Sequence, residues 1–289
     1  MPPERTGPPL FSVTPTGFKI LEGSGGRWWI LREGSSLQAD PALWDGWTRG
    51  RDATLLPEPG GRGPVYLLAP EGTGPSVLRQ YRHGGLVGRF LGDRFLGTAR
   101  FLAELSASEA VRREGVATPE ILALYISRMA GAFFRGWILT RQVPCAMNLR
   151  QWAAPKLPGG AERHRVLRMA AGAVASLHSA GCFHRDLNLS NLLLAGDRVW
   201  VLDLDGARQM PRIGLRRRSE NLLRLYRSVV KETGSVVPLT IWDRWIFLKA
   251  YSGGDLKLGR ALWRRLRARW ALARARRGIS RYFRRLRAA

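Results

Sequence analysis

The chain is poor in cysteine, lysine and acid, and it has no long apolar run. Two cysteines, Cys145 and Cys182, stand without a CxxC or Cys/His spacing, which argues against a disulfide framework or a structural zinc site. The opening residues, MPPERTGPPL, contain no apolar core of the kind a secretory signal needs. No apolar run approaches the roughly 18 to 20 residues that span a bilayer. These absences lead to the expectation of a reducing, cytosolic address. Acid is scarce enough that 22 Asp and Glu face 47 Lys and Arg, a formal charge of +25. Such an excess implies a polyanionic partner: an anionic membrane, an acidic substrate or nucleic acid. Part of the arginine bias reflects base composition, but base composition does not explain why the charge is so unevenly placed. The content of apolar residues is that of an ordinary globular protein.

Along the chain the texture changes once. Up to about Arg141, glycine-rich turns (GSGG at 23–26, PGGRG at 59–63) separate runs of strand composition, VYLLA at 65–69 and SVLRQY at 76–81. Residues 93–113 take a helical pattern with Phe101, Leu102 and Leu105 on one face, and Gly115 and Pro119 end it. WILTRQV at 137–143 reads as one more strand, closed by Pro144. Beyond it, Val166, Leu167, Ala170, Val174 and Leu177 recur at helical spacing, with Gly181 where a C-terminal cap belongs. The expected fold is α+β and bilobal: a β-rich lobe over 1–144, a helical lobe over 145–256, and a cleft between them.

Residues 257–289 carry thirteen basic side chains and no acid, with Leu258, Leu262, Leu266 and Trp270 four residues apart. Two uses are open to this basic amphipathic tail. It docks on the helical lobe by its apolar stripe, or it attaches to an anionic lipid surface. No nucleic-acid-binding motif accompanies the charge.

The chemistry concentrates in CFHRDLNLSNLLLAGDRVWVLDLDG at 182–206. Phosphoryl transfer needs a group to orient and deprotonate the attacking hydroxyl, oxygen ligands for Mg2+, and cations on the phosphates. HRDLNLSN offers Asp186 for the first and the amide oxygen of Asn191 for the second. Asp203, at the end of VWVLD, would be the main Mg2+ ligand, and Asp205 either joins it or shapes the loop. A lone His-x-Asp is common by chance. The same pair preceded by LHxxG, and followed by Asn191 and an apolar strand ending in DLD, is not.

These residues resemble the protein-kinase-like superfamily, whose signature includes an HRDxxxxN loop and a DFG aspartate. Here DLD stands in place of DFG. Three features separate the chain from protein kinases: Asn188 where a Ser/Thr kinase carries lysine, no APE segment, and only about 85 residues after Asp205. VLRQYRHGGLVGRF, GVATPE, HRDLNLSNLLL, VWVLDLDGAR and NLLRLYRSVVKE are similar to the lipopolysaccharide core kinase family, and within it to the kinases of 3-deoxy-D-manno-octulosonic acid (Kdo). Leu204, in place of an aromatic, and His83, where arginine is commoner, depart from that pattern.

The resemblance implies ATP and Mg2+ as cofactors, and a Kdo hydroxyl on lipid A as acceptor. It also implies a peripheral place on the cytoplasmic face of the bacterial inner membrane. It puts Arg79, in SVLRQY, in the slot of the usual lysine, with Glu104 (or Glu109) as its partner. Gly61, Arg62 and Gly63 would cover the nucleotide, with Gln142 and Val143 beside it. Arg82, His83, Asn188, Arg212 and Arg216 are the expected acceptor-binding residues, the last two open also to reading as a solvated basic face. Neither nucleic acid nor an obligate protein partner is expected. A small-molecule phosphotransferase sharing the HxDxxxxN loop, and an inactive kinase-like lipid-binding protein, are the competing readings.

Overall fold

The computed structural model describes residues 15–56, 63–84, 90–153, 159–232, 239–267 and 269–270. The chain divides into two compact units, Met1–Ser108 with Pro119–Gln142, and Glu109–Thr118 with Val143–Ala289. Packing therefore divides the chain between Gln142 and Val143, and it assigns the end of the first long helix and the turn after it, Glu109–Thr118, to the second unit.

The first unit is built on an eight-stranded antiparallel sheet. Its strands are β1 (Phe18–Gly23), β2 (Arg27–Arg32), β3 (Thr54–Leu56), β4 (Val65–Leu68), β5 (Ser76–Gln80), β6 (Phe95–Leu96), β7 (Ile121–Arg128) and β8 (Phe133–Arg141). The order is β1-β2-β7-β8-β5-β4-β3, with β6 also on β8. Side chains alternate across a strand, so a sheet covered on both faces reads as a continuous apolar run. RWWILR of β2 is such a run. Trp28 and Ile30 join Tyr81, Phe101, Leu105 and Ile138 on one face. Trp29 and Leu31 join Trp44, Leu78, Tyr125 and Leu139 on the other. Helix α1 (Pro41–Thr48) covers the second face and starts at Asp40, whose side chain accepts from the Ala42 N–H.

Helix α2 (Ala99–Arg113) covers the first face. It begins later than residue 93 because Phe95, 3% exposed, pairs with Phe134 in the sheet and packs edge-on against Phe101. Gly136 sets how close α2 comes. A Cβ there would lie 2.7 Å from the Phe101 ring, so only glycine lets the ring rest on β8. Three residues on, and on the same helical face, is Glu104.

The second unit is largely helical. It contains β9 (Met147–Asn148), α3 (Leu149–Ala153), α4 (Gly160–Ser179), β10 (Cys182–Phe183), β11 (Leu192–Ala195), β12 (Arg198–Val201), β13 (Arg208–Gln209), α5 (Leu215–Glu232) and α6 (Ile241–Tyr251). The stripe expected on α4 is buried through Val166, Ala170, Val174 and Leu177. The helix ends at Gly181, which sits at φ 72°. A Cβ on Gly181 would come within 2.1 Å of the Met210 carbonyl oxygen, the contact that lets β10 pair with β13. The first part of the basic tail is helical, and its apolar stripe is turned inward: Leu262 and Leu266 are fully buried, and Trp270 packs against Tyr226 and Trp263. Residues 271–289 lie outside the described residues. Among those described, no helix is long and apolar enough to cross a membrane.

Candidate active site

In the first unit the structure brings Arg79 and Glu104 together. Arg79 lies in β5 opposite Ile138, and the adjacent Leu78 faces the α1 side, so alternation turns Arg79 toward α2. Its guanidinium donates to a Glu104 carboxylate oxygen at 2.7 Å and lies over the Tyr81 ring. Glu104 is only 3% exposed. A carboxylate this deep is stable only when paired, so the two residues fix each other's position.

The turn after β5 holds Arg82 and His83. His83 stacks on Phe95 with ring centroids 4.2 Å apart, and its Nε2 meets the Arg94 carbonyl at 2.9 Å. The Arg82 stem passes over Gly63. Gly61 and Arg62 lie outside the described residues. Gln142 donates its backbone N–H to the Pro75 carbonyl, and Val143, 8% exposed, belongs to the second unit.

In the second unit the loop 184–191 is held from inside. His184, 1% exposed, sets its Nε2 against the Leu202 carbonyl at 2.9 Å and receives the Asp186 N–H on Nδ1 at 3.1 Å. This fixes the neutral tautomer with the proton on Nε2. Burial lowers the pKa of His184, in keeping with a neutral ring. The side chains of Asn188 and Asn191 brace the same loop. Asn188 Oδ1 accepts from the Ser190 and Asn191 N–H groups, and its Nδ2 donates to the Asp186 carbonyl. Asn191 Nδ2 donates to that carbonyl too, at 2.9 Å. The Asn191 atom left to hold a cation is therefore its oxygen.

The β11–β12 hairpin sets Asn191 beside the acidic segment. Leu192 pairs with Val201, and the Leu202 N–H donates to the Asn191 carbonyl at 2.9 Å. The next residue is Asp203, a non-glycine at φ 57°. That left-handed conformation costs roughly 1–2 kcal/mol and turns the chain sharply. Leu204 is buried. An amide oxygen and aspartate carboxylates are hard oxygen donors, the set Mg2+ selects. Among the described residues no group of three His, Cys, Asp or Glu side chains gathers to hold a metal. A cation here would rest on the Asn191 oxygen as much as on carboxylate. An apolar cavity of about 80 Å³ in this unit is lined by none of Asp186, Asn191 or Asp203.

Arg212 is exposed, and Arg216 makes an exposed ion pair with Glu220 at 3.0 Å. Sequence reasoning missed Asn221, which holds the loop from α5. Its Nδ2 donates to the His184 carbonyl at 2.8 Å, and its Oδ1 accepts the His184 N–H at 3.2 Å. The same oxygen meets Nε2 of His178 at 3.0 Å, and His178 Nδ1 meets the Tyr251 hydroxyl at 2.7 Å. Arg218 donates to that hydroxyl in turn. No spacing rule connects these positions; an asparagine at the head of a leucine-rich helical stretch, NLLRLY, was the one available signal.

Burial lowers the pKa of His178 from its ordinary 6.5 to about 4. The unfolded chain binds this proton more readily than the folded one, so the stabilisation is complete above pH 6.5 and is lost as pH falls toward 4. It corresponds to about 3 kcal/mol. Urea unfolding at pH 7 and at pH 4.5 is expected to show a loss approaching that size, and a smaller one in His178→Gln.

A sheet unit with an Arg–Glu pair between strand and helix, and a helical unit with an HRD loop braced beside an aspartate turn, define a protein-kinase-like phosphotransferase. A solved structure of WaaP in complex with acyl carrier protein shares this fold, with a TM-score of 0.55 and 19% identity over 86% of this chain and 98% of that one. The model of the lipopolysaccharide kinase (Kdo/WaaP) family matches residues 48–251. The 3-deoxy-D-manno-octulosonic acid kinase of Xanthomonas campestris pv. campestris strain B100 is 33% identical over 205 residues, 68% of this chain and 78% of that protein. The enzyme of the same name from Pasteurella multocida strain Pm70 is 30% identical over 193 residues, 63% of this chain and 78% of that protein. The chain belongs to the lipopolysaccharide kinase (Kdo/WaaP) family, and is a phosphotransferase that acts on a hydroxyl.

Proposed function

We propose that the chain transfers the γ-phosphate of ATP to a hydroxyl of Kdo in the lipid A–inner core of lipopolysaccharide. The observation that carries this reading is the braced Asp186–Asn191 loop, in a chain that aligns with Kdo kinases over 205 residues. Asp186 accepts the hydroxyl proton as the acceptor oxygen bonds to the γ-phosphorus and the bond to the bridging oxygen breaks, the electron pair leaving with ADP. Arg79, fixed by Glu104, presents a planar fork to phosphate oxygens, a role arginine fills with two parallel hydrogen bonds where lysine offers a point charge. Asn191 and Asp203 would hold Mg2+, which neutralises phosphate charge when bound.

The acceptor is an anionic glycolipid, and the excess of arginine suits both it and the membrane that carries it. Each basic side chain near such a surface contributes about 1 kcal/mol. This supports a peripheral place on the cytoplasmic face of the inner membrane.

Mass spectrometry of Kdo–lipid A incubated with the protein and ATP tests the reading. One added phosphate on the Kdo fragment is expected. Transfer only to soluble hydroxylated compounds would replace the reading with that of a small-molecule phosphotransferase.

A further inference from the structure

One face of α5 lies along the catalytic loop and meets it at three points. Asn221 clasps the backbone of His184, and the Ser228 hydroxyl accepts the Leu189 N–H at 3.1 Å. Between them, Arg224 sets Nη1 3.8 Å from Asp186 Oδ1. Positions 221, 224 and 228 fall on one helical face, so the two outer bonds to backbone fix where the middle side chain stands.

The middle contact is of a different kind. Its separation exceeds a hydrogen bond, and the side chains of Arg224 and Asp186 are 49% and 36% exposed. An ion pair this wet contributes little to stability. That does not recommend an arginine at this place, unless an anion arrives with the substrate. Asn188 brings no charge here, since both ends of its amide hold the loop. Arg216 stands eight residues back on the helix, about 12 Å along its axis.

Resting on the acceptor proposed above, we infer that Arg224 is the binding site for the acceptor's carboxylate. One Asp186 carboxylate oxygen and the guanidinium are 3.8 Å apart. A hydroxyl held by Asp186 and a carboxylate held by Arg224 would then lie near enough to belong to one sugar ring. The site thereby selects an acidic sugar over a neutral one, and Arg224 orients the ring so that one hydroxyl reaches Asp186.

The test compares wild type, R224Q and R224K on two acceptors, Kdo–lipid A and its Kdo methyl ester. Loss of a charge-assisted contact is expected to lower kcat/KM about 30-fold. In R224Q on the free acid this loss is carried by the KM for acceptor, with the KM for ATP unchanged. Wild type on the ester shows the same loss, R224Q on the ester falls no further, and R224K keeps part of the discrimination. An unchanged melting midpoint in R224Q excludes a folding defect; if R224Q does not fold, wild type and R224K on the two acceptors decide the matter. Two results overturn the inference. One is a fall in kcat shared by both acceptors with acceptor KM unmoved, which assigns the cation to the transferring phosphoryl group. The other is no change at all. Wild type inert on both acceptors would instead remove the proposed acceptor, and this inference with it.

Discussion

Asp186→Asn is expected to lower kcat for phosphate transfer about 1,000-fold, the range lost when a proton acceptor is removed from a reacting hydroxyl. The KM for ATP and the melting midpoint should barely move. The bonds of Asn188 and Asn191 go to the Asp186 backbone carbonyl, so the loop keeps its braces when the carboxylate becomes an amide. The lost ion pair with Arg224 is half-exposed and contributes less than about 1 kcal/mol. Steady-state kinetics beside a thermal melt make the comparison. Turnover at the wild-type rate would remove Asp186 from the mechanism, and a collapse in stability would mean that the carboxylate holds the fold.

Asn221→Leu gives the opposite pattern. The leucine is close in volume but leaves the His184 N–H, the His184 carbonyl and His178 Nε2 without their partner, all of them buried. A buried polar group without a partner costs roughly 1–3 kcal/mol. The expected destabilisation is about 4 kcal/mol, a large share of a typical domain's margin. Denaturant unfolding measures it, and a value under 1 kcal/mol would show that the clasp is dispensable. Arg224, three residues along, should show the reverse: unaltered stability and altered kinetics.

The loop at 184–191 was legible because its information is local. Asp186 and Asn191 lie five residues apart in one turn, and Asp203 follows at the end of a short hairpin that closes on itself. Arg79 and Glu104 (or Glu109) were expected only from the resemblance, and in the structure it is Glu104 that pairs with Arg79. The residues that hold the loop from outside were not legible. Asn221, Arg224 and Ser228 come 30 to 40 residues later, and only the packing of α5 brings them to 184, 186 and 189. Arg216, expected at the acceptor, pairs with Glu220 in the open, while its neighbour Arg218 is bound to the Ile213 carbonyl and the Tyr251 hydroxyl. Asn188 stood out as a missing lysine. Its amide in the structure is a brace, a role that leaves no trace in composition. The tail read equally well as a docked or a lipid-bound helix, and up to Trp270 its apolar stripe is docked.

The buried chain from Arg218 to His184 can run in only one sense. The backbone at His184 sets it: its N–H needs the Asn221 oxygen and its carbonyl the Asn221 amide nitrogen. The same oxygen faces His178 Nε2, which must therefore carry the proton and leave Nδ1 to accept from the Tyr251 hydroxyl. Arg218, which donates and never accepts, is compatible with that sense, since the Tyr251 oxygen takes its N–H. Turning Asn221 over would break its bonds to His184 and to His178 together. A single rotational state of Asn221 is thereby selected, and with it one shape for the backbone that presents Asp186.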